Sequence, residues 1–517
     1  MKSLDSKSIF KKILFLNSIS SFCYQLTAII CGFILPRMIL KVFGSEVNGL
    51  INSITQFLGF ISFLELGVGA VIQSSLYKPL ANKDIDEISK IAVSGQSFFT
   101  KVATALLIYV VLLIFIYPTL IDNSYGFLYT AIMIIVLCIS SLSQYFFGII
   151  NRLLLIADQK GYISYFIQSF TLILNTFVSI VLINMGASIH IVKLASSLIF
   201  VTRPIILNIY VRKNYKINWK IKYDEEPIKQ KWNGIAQHIA AVVLGGTDSV
   251  ILSIFTGLKA VSVYSVYHLV VTGVTALVSS ISNGFHSLIG NLWARQEIDK
   301  LRNLFGWMEW LIHTVTVLIF GITSILIIPF IVVYTKNITD INYVEPLFAY
   351  LIVAANALIC LRDPYIIMIL AGGHYKQTQH NYIIAAILNI AISVITVRRW
   401  GLVGVAIGTL IAMAYQTVWM AWYNSKNFIY WPFYKFVKQM IVDLISLLVM
   451  QVVLNLLFLT NFFSIKSITY LSWIVLAIKV SLICLAITFL VNFLFYKKNV
   501  FKLYNMFKSL LNKLRRV

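Results

Sequence analysis

The hydrophobic pattern of this chain is one of long uncharged runs. Between Gly49 and Tyr77 a single carboxylate, Glu65 in FLELGVGA, interrupts such a run, and similar stretches recur along the whole length. About 20 apolar residues are needed for a helix to cross roughly 30 Å of hydrocarbon. On that criterion the pattern predicts about fourteen spans, near 13–39, 50–76, 98–120, 127–154, 161–185, 189–211, 232–257, 260–292, 304–334, 344–371, 377–398, 401–425, 438–462 and 467–496. Short alternating segments with frequent turns are missing, which excludes a membrane β-barrel. The expected fold class is therefore an all-α polytopic membrane protein.

Composition agrees: 59% of the 517 residues are hydrophobic and 12% charged, against roughly 25% charged in a soluble domain. The formal charge of +23 raises the question of a nucleic-acid partner. Its distribution answers it, because Lys and Arg gather in alternate loops, as the positive-inside rule requires of cytoplasmic segments. The richest loop is RKNYKINWKIKYDEEPIKQK at 212–231, and both termini are placed in the cytoplasm. Topology alone accounts for the charge, and no nucleic acid is expected. The tail from Lys497 spaces Phe501, Leu503, Phe507, Leu510, Leu511 and Leu514 between cations, the pattern of an amphipathic helix on anionic membrane lipids. The N-terminus carries no cleavable-signal pattern. Cys23, Cys31, Cys138, Cys360 and Cys484 fall within spans without metal-ligand spacing and read as packing residues, so no metal is expected.

An internal repeat organises the spans. ANKDIDEISKI at 81–91 matches ARQEIDKLRNL at 294–304, an offset of 213, and ILNTFVSI at 173–180 matches ILNIAISV at 387–394, an offset of 214. Two separated matches at nearly one offset imply that spans 1–6 and 7–12 are copies of a six-helix unit. The expected domains are an N-lobe over 1–231, a C-lobe over 232–430, two added helices over 431–496 and the basic tail 497–517. Six is even, so the copies are parallel, an arrangement used by secondary transporters to open a central cleft alternately to each side. No phosphate loop, GxSxG, HExxH or paired CxxC occurs. Neither an enzyme nor a cofactor is expected.

Ionisable groups within spans are functional candidates, since each costs at least about 2.5 kcal/mol at a helix centre. Helical phase places Thr55, Leu58, Ser62, Gly69 and Gln73 on the side of Glu65, a small polar stripe suited to a cleft. Asp248 shares its side with His238, a titratable group that suits coupling to protons. Arg37, Arg152, Arg203 and Arg362 are the deep or near-surface cations, and a guanidinium grips phosphate through paired charge-assisted hydrogen bonds. Each has a structural reading beside it: Arg37 as an interfacial anchor, Arg362 neutralised by Asp363, Glu65 as an assembly pair. Glu309 and His313, four apart, are within reach of each other as a local pair. At the repeat offset Glu65 corresponds to Val278, Asp248 to Leu35, Arg37 to Val250 and Arg152 to Ile366, so the fold was duplicated and its charges were not.

FILPRMILKVFGSEVNGLINSITQFLGFISFLELGVGAVIQSSLYKPL resembles the start of polysaccharide transporters, the Wzx-type flippases of the multidrug/oligosaccharidyl-lipid/polysaccharide (MOP) superfamily. The arginine ending the first span, the Gly-containing turn and the acid-Leu-Gly segment occur there in this order. GGTDSVILSIFTGLKAVSVYSVYHLV resembles the matching start of the second lobe. The resemblance implies a MOP-type fold and transfer of undecaprenyl-diphosphate-linked oligosaccharide from the inner to the outer leaflet of a bacterial cell membrane, alongside polysaccharide polymerase and other assembly proteins. On that reading the four arginines meet the diphosphate, while Gln56 and Gln73, with Tyr264, Tyr267 and Asn283, meet the sugars. Glu65, Asp248 and His238 are the coupling groups. Lipid II and teichoic-acid precursor flippases are alternatives within the superfamily, and a cation exporter is the alternative of a different class.

Overall fold

Long apolar runs leave the backbone no water to bond to, so each satisfies its own amides as a helix. The computed structural model describes residues 2–121, 125–228, 235–459 and 469–514, and every regular element among them is helical. In the first half these are α1 (Lys2–Gly59), α2 (Phe63–Asn82), α3 (Ile85–Leu120), α4 (Gly126–Ser143), α5 (Ile149–Ala157), α6 (Gly161–Asn184), α7 (Ile189–Asn214) and α8 (Ile235–Phe255). In the second half follow α9 (Leu258–Asn283), α10 (His286–Ala294), α11 (Ile298–Tyr334), α12 (Pro346–Leu361), α13 (Asp363–Ala371), α14 (Tyr375–Asn427), α15 (Phe433–Leu459), α16 (Tyr470–Phe495) and α17 (Lys497–Leu514).

Eleven described segments are long and apolar enough to cross a membrane. Two of them are folded at a glycine with non-helical backbone, Gly44 in α1 and Gly401 in α14, and α8 supplies a shorter apolar span at Ile239–Phe255. Splitting those two and adding α8 gives the fourteen spans expected. Side chains such as Ile108, Phe115, Phe166 and Leu482 stand more than 60% exposed, a surface that suits lipid and would be a liability in water.

The duplication is written in the backbone. Residues in the left-handed region mark helix boundaries or kinks at Gly44, Lys83, Gly126, Gln159 and Gly186, and again at Gly257, Gln296, Asn337, Gly373 and Gly401. Taken in order these pairs lie 213, 213, 211, 214 and 215 residues apart, close to the offset of the repeated segments. At Gly44 (φ 83°) and Gly257 (φ 93°) the absence of a Cβ makes that conformation accessible at no steric cost. The helix starts have diverged: Asp84 caps α3 by accepting from the Glu87 amide at 3.0 Å, whereas its counterpart Glu297 pairs with Lys300 at 2.6 Å.

The chain divides into two compact units, Met1–Val263 and Tyr264–Val517. In the first, Leu50, Ile54, Ile72, Phe99 and Leu154 are wholly buried. Lipid is as apolar as leucine, so helices here associate by close packing and hydrogen bonds. Asn48 of α1 accordingly donates to Ser262 of α9 at 2.9 Å, and the Leu258 carbonyl lies where a Cβ on Gly49 would go. Beyond the end of α5, Asp158 takes a Lys160 ammonium at 2.7 Å and the Tyr215 hydroxyl at 2.5 Å. Burial and that carboxylate push the Tyr215 phenol well above its ordinary value.

In the second unit, Gly404 and Gly408 let the two halves of α14 touch. Backbone atoms of Thr396 and Asn389 lie within 3 Å of the Cβ positions those glycines leave open, and Asn389 donates to Thr409 at 3.0 Å. A separate apolar cluster, including Val442, Met450, Leu476 and Val480, joins α15 and α16 to α11. The tail forms helix α17, and Lys502 lies over the Trp307 ring at 5.2 Å.

Candidate functional site

In the first unit the fourth span is broken. α4 ends at Ser143, Gln144–Gly148 form one π-helical turn, and α5 begins at Ile149. Such turns often mark functional positions, because they re-aim the side chains that follow. Two neighbours hold this one. Gln96 of α3 donates to the Phe146 carbonyl at 2.7 Å, and Pro204 of α7 lies 2.9 Å from where a Gly148 Cβ would stand.

Four residues past the turn, Arg152 makes an ion pair from Nη2 to the Glu65 Oε1 of α2. The two side chains retain 28% and 22% of their exposure, and Tyr145 of the π turn, 5% exposed, is near enough to feel both charges. Arg152 Nε is buried without a hydrogen-bond partner. A guanidinium has five N–H donors, so the carboxylate uses only part of the fork.

Arg203, one residue before Pro204, lies against α6. Its Nε donates to Thr171 Oγ1 at 2.5 Å, Nη2 donates to the Gln168 carbonyl at 3.3 Å, and the guanidinium lies over the Phe200 ring at 4.3 Å. No described carboxylate pairs with it. Arg37 follows Pro36 in α1, half-buried and already engaged. Gln56 lies against Gly246 of α8, with Oε1 3.2 Å from its Cβ position, and Gln73 donates to the Tyr77 hydroxyl at 2.7 Å. Asp248 is 5% exposed and has a partner. The His238 side chain lies outside the described residues.

The second unit breaks its own fourth span at the corresponding place. α12 ends at Leu361 and α13 begins at Asp363, 214 residues after the start of α5. Arg362 occupies the break, 9% exposed. Its Nη1 meets the Met413 thioether at 3.6 Å and its Nε is buried without a partner. Asp363 turns instead to Ser279 at 3.4 Å, so the two neighbours form no ion pair. Each copy thus carries a deep arginine at or just after the break of its fourth span, at positions that do not superpose in the repeat.

Several expectations change. The polar stripe around Glu65 is not one helical face: a 3₁₀ turn at Phe60–Ser62 separates Thr55 and Leu58 from α2, and Leu58 is buried while Gly69 packs on Leu153. Tyr267 and Tyr264 are buried, and the Tyr267 hydroxyl donates to the Tyr343 carbonyl at 2.8 Å and accepts from the Glu345 amide at 3.0 Å. Neither ring is presented to a sugar. Glu309 and His313 each take their hydrogen bonds from other elements, and the His313 partner, Asp443 of α15, was missed among the candidates because it lies outside the duplication.

Two six-helix copies with two further spans define an all-helical polytopic membrane fold, of the MOP type. The lipid II flippase MurJ, in an inward closed conformation, superposes with a TM-score of 0.70 over 94% of this chain and 99% of that chain at 18% identity. The Vibrio cholerae MATE transporter VcmN superposes at 0.59 over 82% and 99% with 12% identity. An inward-facing multidrug resistance MATE transporter of the MOP superfamily does so at 0.53 over 77% and 94% with 11% identity. No protein-family model and no curated protein matches the sequence. At these identities the likeness establishes the fold.

Proposed function

We propose that the protein is a flippase that moves a polyprenyl-diphosphate-linked oligosaccharide from the cytoplasmic to the outer leaflet of a bacterial membrane by alternating access. The observation that carries this reading is Arg152, half-exposed beside a π turn, with one donor on Glu65 and a buried Nε unpaired. A diphosphate offers the several acceptor oxygens that such a fork prefers. Glu65 acts as a resident counter-ion: it holds the guanidinium in position while the site is empty and is displaced when the anion arrives. Arg203 and Arg362, neither paired with a described carboxylate, are further phosphate contacts at later stages. Arg37, Gln56 and Gln73 line the path for the head group, with Asp248 and His238 as groups that bias the cycle. The prenyl tail stays in lipid, and the apolar groove of about 570 Å³ along Ile411, Val418, Trp419, Trp422 and Phe433 suits it.

Capsule or O-antigen repeat units are the favoured cargo, on the motifs of the first and seventh spans. Lipid II is the second reading, supported by the MurJ superposition, which takes in 94% of this chain where the MATE superpositions take in 82% or less. Both share the prenyl-diphosphate head. Binding tests it: a short-chain prenyl-diphosphate disaccharide at 100 times its Kd should stabilise purified protein by about 2.7 kcal/mol in thermal unfolding. An analogue with an uncharged linkage should give no shift, and equal shifts by the two would remove the anion site.

A further inference from the structure

A second set of ionisable groups lies in the other unit, buried and unused by the arginine site. Glu309 and His313 sit one turn apart on α11, 4% and 0% exposed, and Asp443 faces them from α15, 5% exposed. His313 Nδ1 and Asp443 Oδ2 are 2.6 Å apart, and Gln439 donates to Asp443 Oδ1 at 3.0 Å. Tyr365 of α13 donates to Glu309 Oε1 at 2.6 Å, and the Trp431 indole donates to Oε2 at 2.8 Å. Lys435 stands over that indole at 3.7 Å and acts on Glu309, while Tyr496 faces both carboxylates from the end of α16.

Donor counting fixes most of the protons. Indole and amide N–H groups only donate, so Glu309 Oε2 and Asp443 Oδ1 are bare acceptors. One proton lies between His313 Nδ1 and Asp443 Oδ2. The remaining choice is His313 Nε2, which is buried without a hydrogen-bond partner and directed toward the Leu361 backbone. With Nε2 bare, two carboxylates and one ammonium leave the cluster at a net charge of −1. A proton on Nε2 makes it neutral. Two carboxylates sharing a buried site repel, and an imidazolium between them removes that repulsion.

We propose that Glu309, His313 and Asp443 form a proton-binding site whose occupancy holds α15 against α11. The turn before α15 belongs to the same construction: Arg302 of α11 donates to the Ile429 carbonyl at 3.1 Å, and Trp431 fills the space left by the missing side chain of Gly306. Tyr430, at φ 48°, sits in the left-handed region within that turn. Loss of the proton sets the two carboxylates against each other across α11 and α15 and loosens the second of these. The site stands on the buried cluster alone; its use in driving a cycle rests on the flippase reading.

Full-length protein in nanodiscs, labelled with ¹⁵N-histidine, tests it. His313→Gln removes one of seven histidine signals and so assigns His313, and the wild-type signal is then followed from about pH 5 to 8, the range in which imidazoles change charge. Spin labels at Asn303→Cys in α11 and Tyr434→Cys in α15, with exposed Cys23 replaced by Ser, report the separation of the two helices. The expected result is a His313 signal that titrates while the label distance changes over the same interval, with the pH-linked distance change lost in Asp443→Asn. A His313 signal or a label distance that stays constant across the range overturns the proposal. If both respond while leaflet transfer fails, the flippase reading falls and the proton site stands.

Discussion

Arg152→Ala is expected to lower the initial rate of leaflet transfer in proteoliposomes about 100-fold. Hydrogen bonds to a charged group are worth roughly 1.5–3 kcal/mol, and here the loss falls on two interactions. Substrate loses its guanidinium, and Glu65 is left facing the π turn without a counter-ion. A double variant separates these effects. Glu65→Arg combined with Arg152→Glu keeps an ion pair between α2 and α5 but moves the cation off the broken span. It should melt close to wild type and still fail to transfer. Recovery of transfer by the exchange would mean that Arg152 serves assembly alone.

The largest effect on stability is expected from Asp443→Ala. Breaking a buried pair is worth about 3–5 kcal/mol, because the partner left behind loses its compensation. His313 is wholly buried, so no water replaces the lost carboxylate, and Gln439 loses its acceptor as well. Thermal unfolding in detergent should show a large drop in midpoint for Asp443→Ala. Asp443→Asn, which keeps an acceptor for Gln439, should lose less. Equal midpoints for wild type and Asp443→Ala would show that α15 is held by its apolar contacts with α11 and α16.

The sequence disclosed the scaffold because the scaffold is periodic. Long apolar runs announce their spans one at a time, and a repeat at 213 residues announces which spans correspond. The left-handed residues at Lys83 and Gln296, or Gln159 and Gly373, carry that offset without chemical identity, so conformation is what the duplication retained. Pairings were less legible. Glu65 and Arg152 lie 87 residues apart in segments with no shared pattern, and only packing α2 against α5 joins them. The stripe around Glu65 failed for a local reason: helical phase was carried through Phe60–Ser62, where the backbone tightens to 3₁₀. The broken fourth span of the first copy was also hidden. QYFFG carries no proline or paired glycines to announce a π turn, whereas in the second copy Pro364, two residues after Arg362, stands in the first turn of α13. Asp443 was overlooked among the apolar residues of the thirteenth span, and its significance rests on its position opposite His313.

The most direct measurement is leaflet transfer by the wild-type protein, reconstituted with a fluorescent prenyl-diphosphate oligosaccharide and read by quenching of the accessible leaflet. An otherwise identical prenyl glycan with an uncharged linkage serves as the comparison. Arginine-led recognition of the diphosphate predicts protein-dependent transfer of the first lipid and none of the second. Transfer of both at equal rates, or of neither, would contradict it.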